Sequence, residues 1–130
     1  MFDWKKPTVQ MLGRWQPWHD GHTELFKRAL KKTGQVCIMY RDVEGVDAGV
    51  EGQADNPFGF EEVKKNIIVE LSKNNFEEGG DYVVIKVPNI IDISYGRGVG
   101  YSFTEHDLGK EIHAISATNI RKELRLKKEL

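Results

Sequence analysis

Between Val9 and Tyr40 two short apolar runs flank an amphipathic segment, and this arrangement constrains the fold more than any other feature of the chain. Val9 to Leu12 follows a proline and ends at Gly13-Arg14, as a strand leaving into a loop does. From Gly21 to Lys32, Leu25, Phe26, Ala29 and Leu30 recur at helical spacing, Lys27, Arg28, Lys31 and Lys32 occupy the other face, and Gly34 closes the segment. Val36 to Tyr40 then reads as a buried strand. A strand, a helix and a strand within about 35 residues match a right-handed crossover between parallel strands, so the predicted fold class is α/β.

The rest of the chain extends this pattern. Asn56-Pro57 is expected to start a second helix, with Val63, Ile67, Ile68 and Leu71 as its apolar stripe and Asn74-Asn75 as its stop. Tyr82 to Val87 is a third strand, Glu111 to Ile115 a last short one, and Thr118 to Leu130 a terminal helix with Thr118 as N-cap. Asn89 to Tyr95 alternates in part, and Gly96-Arg97-Gly98-Val99-Gly100 must be a turn or loop. Residues 42 to 62 hold seven acidic residues, four glycines and no lysine or arginine. Residues 43 to 55 are therefore expected to be poorly ordered without ligand, as either a lid or a flexible insert. At 130 residues the chain is read as one domain, 1–130.

Charge and cysteine content narrow the function classes. Nineteen Lys plus Arg against twenty Asp plus Glu leave a net charge of -1, so no global positive field exists to hold nucleic acid or an anionic membrane, and anion binding must be local. Five Lys or Arg against two Glu in residues 121–130 are the one basic concentration. Cys37 is the single cysteine; its neighbours Val36, Ile38 and Met39 suggest a buried thiol, and a reducing cytoplasm is the expected compartment. No stretch approaches the ~20 apolar residues of a membrane span.

The chemistry is expected at His19-Asp20-Gly21-His22, where the first strand passes into the first helix. Open α/β sheets bind ligands beyond the carboxyl ends of their strands. Two histidines around a glycine at a helix start put imidazoles beside unpaired backbone N–H groups, which makes an anion site; the bland reading is two surface histidines capping a helix. Zinc is disfavoured, because Cys37, His106 and His113 are the remaining Cys and His donors and none forms a ligand pair. At the other end, Ser116 and Thr118 offer hydroxyls and N–H groups at a helix start, and Arg121 one turn on can clamp phosphate oxygens through a guanidinium fork. Gly96, Arg97 and Gly98 can form a backbone nest around a base or phosphate.

Two motifs carry a resemblance. Gly13-Arg14-Trp15-Gln16-Pro17-Trp18-His19-Asp20-Gly21-His22 resembles the Gly-Arg-Phe-Gln-Pro-x-His-x-Gly-His signature of nucleotidyltransferases, with Trp15 where Phe is usual. Ile115-Ser116-Ala117-Thr118-Asn119-Ile120-Arg121 resembles the Ile-Ser-x-Thr-x-Ile-Arg motif near the C-terminus of the same superfamily. On these motifs, which span nearly the whole chain, it is similar to the HxGH, or cytidylyltransferase-like, superfamily. The resemblance implies a small Rossmann-like doubly wound parallel sheet with flanking helices, the HUP-type nucleotidyltransferase fold. It also implies transfer of a nucleoside monophosphate, AMP by the wording of the first motif, from a triphosphate to a phosphorylated small molecule, with release of pyrophosphate. On that footing His19, His22, Arg14 and Arg121 are the catalytic residues, and Gly13, Trp15, Gln16, Gly21, Gly96, Arg97, Gly98, Ser116 and Thr118 bind nucleotide. Mg²⁺ is expected to be held mainly through the triphosphate, with no protein metal site. The expected partners are the triphosphate and the acceptor, not nucleic acid or membrane; the oligomeric state is open, a homo-oligomer included. Asn56-Pro57-Phe58 with Glu62 is similar to the Asn-Pro-Phe-(x)3-Glu-Arg stretch of archaeal-type nicotinamide-mononucleotide adenylyltransferases, but Val63 stands in place of the arginine and leaves the acceptor open. Cytidylyl transfer from CTP and a non-catalytic nucleotide-binding module are the alternatives.

Overall fold

A computed structural model describes residues 1–43, 57–97 and 100–109. Its elements are β1 (Val9–Gly13), α1 (Asp20–Thr33), β2 (Val36–Arg41), α2 (Phe60–Ser72) and β3 (Tyr82–Val87). The strands form one parallel sheet in the order β1-β2-β3, with Met11 in register with Ile38 and Ile38 with Val84. This is the predicted α/β architecture, a small Rossmann-like parallel sheet with flanking helices.

The register shows which face carries the core. Val9, Met11, Val36, Ile38, Tyr40, Tyr82 and Val84 share one face, and they pack in a single cluster with Phe26 and Ala29 of α1 and Val63, Ile67 and Leu71 of α2. Both helices therefore cover the same side, which follows when successive right-handed crossovers advance in one direction. The opposite face carries Leu12, Cys37, Met39, Val83 and Ile85. Cys37 is buried there, as the sequence suggests, and burial pushes its thiol pKa up. The expected elements Glu111 to Ile115 and Thr118 to Leu130 lie outside the described residues.

The helix ends follow from local chemistry. Gly34 caps α1 at φ +86°, donating its N–H to Leu30 O, a left-handed conformation that costs a glycine little. α2 starts at Phe60 and not at the expected Asn56-Pro57. The side chain of Gln16 accepts from Phe58 N (2.9 Å) and donates to Phe58 O (2.8 Å), which holds that stretch out of the helix. The stop is as expected: the helix ends at Ser72, and Asn75 takes a left-handed φ of 65°. After β3 the described chain has no regular element, and Ile91, Ile93 and Tyr95 are exposed along it. The expected lid or insert falls outside the described residues except at Val43, which is buried. Among the described residues no helix is long and apolar enough to cross a membrane.

Candidate active site

β1 ends at Gly13 and α1 begins at Asp20, so the six-residue loop between them lies at the carboxyl edge of the sheet. A Cβ on Gly13 would stand 2.7 Å from Trp15 Cζ2, so only glycine lets the indole fold back over the strand end. Trp15 is 6% exposed and has φ +53°, a left-handed backbone that a bulky residue adopts at a cost of ~1–3 kcal/mol. Its surroundings hold it there: Nε1 donates to Met39 O (3.0 Å), and the ring packs against Trp18. Trp18, also buried, donates Nε1–H to Thr23 Oγ1 (2.8 Å). The peptide between Gln16 and Pro17 is cis.

This loop delivers two histidines in one arrangement. His19 is the N-cap of α1: its Nδ1 accepts from Gly21 N (3.0 Å), while its own N–H donates to Nδ1 of His22 (3.1 Å). The pair is thus a capping box built from imidazoles. The rings stack at 3.6 Å between centroids and 18° between planes. Trp15 and Trp18 back His22 at 4.8 and 5.4 Å. Because each Nδ1 accepts a backbone N–H, a neutral ring must carry its proton on Nε2. Burial, then the neighbouring His19, pushes the His22 pKa down to about 3. His19 is lowered as well, by burial and against the pull of Asp20. At neutral pH the site therefore offers two uncharged Nε2–H donors at the positive end of a helix dipole. Such donors can hold charge that develops on a phosphate without becoming proton donors themselves.

The remaining candidates separate. Gly13, Arg14, Trp15, Gln16, His19, Gly21 and His22 come together around the start of α1. Within that group Trp15 is a wall behind His22, and Gln16, 1% exposed, ties the loop to the approach of α2; neither role was legible in the motif. Gly96 and Arg97 lie in an exposed bend, where a Cβ on Gly96 would meet open space. Gly98, Ser116, Thr118 and Arg121 lie outside the described residues. A cleft of about 410 Å³ opens between Trp15, Pro17, Trp18 and Phe58 on one side and Glu62, Lys65 and Asn66 of α2 on the other, and neither histidine lines it. Val63, where the similar motif has arginine, is 2% exposed and belongs to the core, so it supplies no charge here.

Over 81 residues, 62% of its length, the chain is 32% identical to a nicotinamide-nucleotide adenylyltransferase of Methanococcus aeolicus. It spans 41% of that protein, about two fifths of the curated relative it matches. No family model matches the chain, and no solved structure matches it significantly.

Proposed function

We propose that the chain is a nucleotidyltransferase that moves a nucleoside monophosphate, AMP, from a triphosphate to a phosphorylated small-molecule acceptor. The observation that carries this reading is the stacked His19–His22 pair at the N-terminus of α1, each Nδ1 engaged by the backbone and each Nε2–H left to donate. The similarity to a nicotinamide-nucleotide adenylyltransferase supports nucleotidyl transfer in general. In the reaction, an acceptor phosphate oxygen bonds to the α-phosphorus while the bond from that phosphorus to the bridging oxygen breaks, and pyrophosphate leaves with its electrons. No protein nucleophile is required. The chain's task is to orient the two anions and to stabilise negative charge on the α-phosphate oxygens.

His19 and His22 do the latter, Arg14 holds phosphate at the strand end, and Arg121, with Ser116 and Thr118, is proposed to complete the cradle. Gly21 is proposed to allow close approach of the triphosphate, Gly13 to admit the indole that backs the site, and Gly96, Arg97 and Gly98 to border the base. Mg²⁺ is proposed to enter with the triphosphate and to be held mainly through phosphates and water. When bound, it neutralises charge on the polyphosphate. A single cysteine, Cys37, which can form no disulfide within the chain, fits the reducing cytoplasm we propose as the compartment.

The test is a screen of the four nucleoside triphosphates with Mg²⁺ against phosphorylated acceptors, following pyrophosphate. Release with ATP is expected, and release with CTP alone would replace adenylyl by cytidylyl transfer. His19→Ala and His22→Ala should each lower kcat about 100-fold, the effect of losing one transition-state donor, with little change in triphosphate affinity. Normally folded variants that turn over at the parent rate would refute the assignment.

A further inference from the structure

We infer that Arg41 is a further phosphate-holding residue, its guanidinium closing on a phosphate group of one of the two substrates; the inference rests on the transferase reading above. Arg41 is the last residue of β2, on the carboxyl edge of the sheet where such folds bind ligands. The register that sets Gly13 beside Tyr40 brings the next residue of that chain, Arg14, to the neighbourhood of Arg41.

The partners of Arg41 support the same conclusion. Its Nη1 reaches only Ile90 O, at 3.5 Å, and its Nε is buried with no hydrogen-bond partner. None of the ion pairs among the described residues involves it. The adjacent carboxylate is engaged elsewhere, since Asp42 pairs with Lys86 Nζ at 3.5 Å. A charged donor left unsatisfied inside a protein is unfavourable, and natural structures rarely keep one without a use. A phosphate supplies what is missing: two oxygens spaced to accept from Nε–H and a terminal N–H of one guanidinium. The tie to Ile90 O is long enough for the group to exchange it for that fork.

The experiment is calorimetric titration of the full chain and of Arg41→Gln and Arg41→Lys with two probes, MgATP and inorganic phosphate, alongside ligand-free melting curves. Both variants should weaken at least one probe about tenfold or more, the lysine included, because it keeps the charge and loses the fork. A loss confined to MgATP assigns Arg41 to the triphosphate; a loss confined to inorganic phosphate assigns it to the acceptor. Dissociation constants within about twofold of the parent in both variants would overturn the inference. A lower melting temperature with unchanged affinities would do the same and leave Arg41 as a tie to Ile90. If unchanged variants accompany pyrophosphate release by the parent, only the role of Arg41 falls. If Arg41-dependent phosphate binding accompanies no release with any acceptor, the transferase reading falls and Arg41 stands.

Discussion

Gly13→Ala is expected to destabilise the fold through a single ring. The added Cβ would lie 2.7 Å from Cζ2 of Trp15 and 2.9 Å from Cε2 and Cη2. Carbon atoms settle near ~3.5–4.0 Å, so the indole must retreat by roughly 0.8 Å or more. It has little room: the ring is buried, bonded to Met39 O, and packed at 5.0 Å against Trp18 and 4.8 Å against His22. Overpacking of this kind costs ~1–3 kcal/mol, and a strained indole hydrogen bond adds ~1 kcal/mol. Taking ~2–4 kcal/mol together, and about 4 °C per kcal/mol for a chain of this size, the melting temperature should fall by ~8–16 °C. The clashing atoms all belong to the six-membered ring of the indole, whose outer part phenylalanine lacks, so Trp15→Phe should recover much of the loss in the Gly13→Ala background. Thermal melts of the two single variants and the double variant measure that coupling, and the His22 ring signals should move with the indole in Gly13→Ala. A melt within ~2 °C of the parent, or a coupling below ~0.5 kcal/mol, would refute the reasoning.

Three further outcomes follow from other parts of the molecule. Gln16→Leu strips both hydrogen bonds from Phe58 and should cost ~2–4 kcal/mol, with faster amide exchange at Phe58 as the local signature; unchanged exchange there would contradict the tie. Gly34→Ala forces a side chain to φ +86° and should lower stability by ~1 kcal/mol with no effect on ligand binding, measurable by denaturant midpoint. For His22 the folded pKa of about 3 lies below the unfolded value of 6.5, so the unfolded state takes up protons first. Its contribution to stability is fully present above pH 6.5 and is lost as pH falls toward 3; nitrogen-detected NMR should show the Nε2–H tautomer throughout pH 5 to 8, and a titration near pH 6.5 would be the contrary result.

The elements legible in the sequence were those whose own residues decide them. α1 announced itself through a stripe of four apolar residues and a terminal glycine, and Tyr82 to Val87 through an unbroken β-prone run bounded by Asp81 and Pro88. The start of α2 was misplaced for a reason no window on residues 56–60 contains. A side chain 42 residues away, Gln16, holds Phe58 extended through both of its backbone groups. That both described helices pack on the same face was likewise hidden, since Leu12, Cys37 and Met39 are as apolar as the residues beside them that face those helices.

For the site, the motif revealed which residues meet but not how each is used. That two histidines three apart would stand beside backbone N–H groups at a helix start was readable; that each ring would spend its Nδ1 on a backbone amide was not, because capping of this kind normally falls to Ser, Thr, Asp or Asn. The consequence is specific. An Asp at position 19 would cap the helix as well, yet it would present a negative charge where the proposed reaction puts a phosphate, whereas imidazole caps with one nitrogen and keeps a donor on the other. The same side chain thus meets a folding requirement and a chemical one without conflict, which is why this stretch looks like an ordinary helix start in its local energetics. Trp15 has a role the motif does not spell out: its Nε1 bond to Met39 O and its edge-on contact with His22 make it a support behind the imidazole. The function proposed for this strand end rests on what the polar atoms have left over after folding has used the rest.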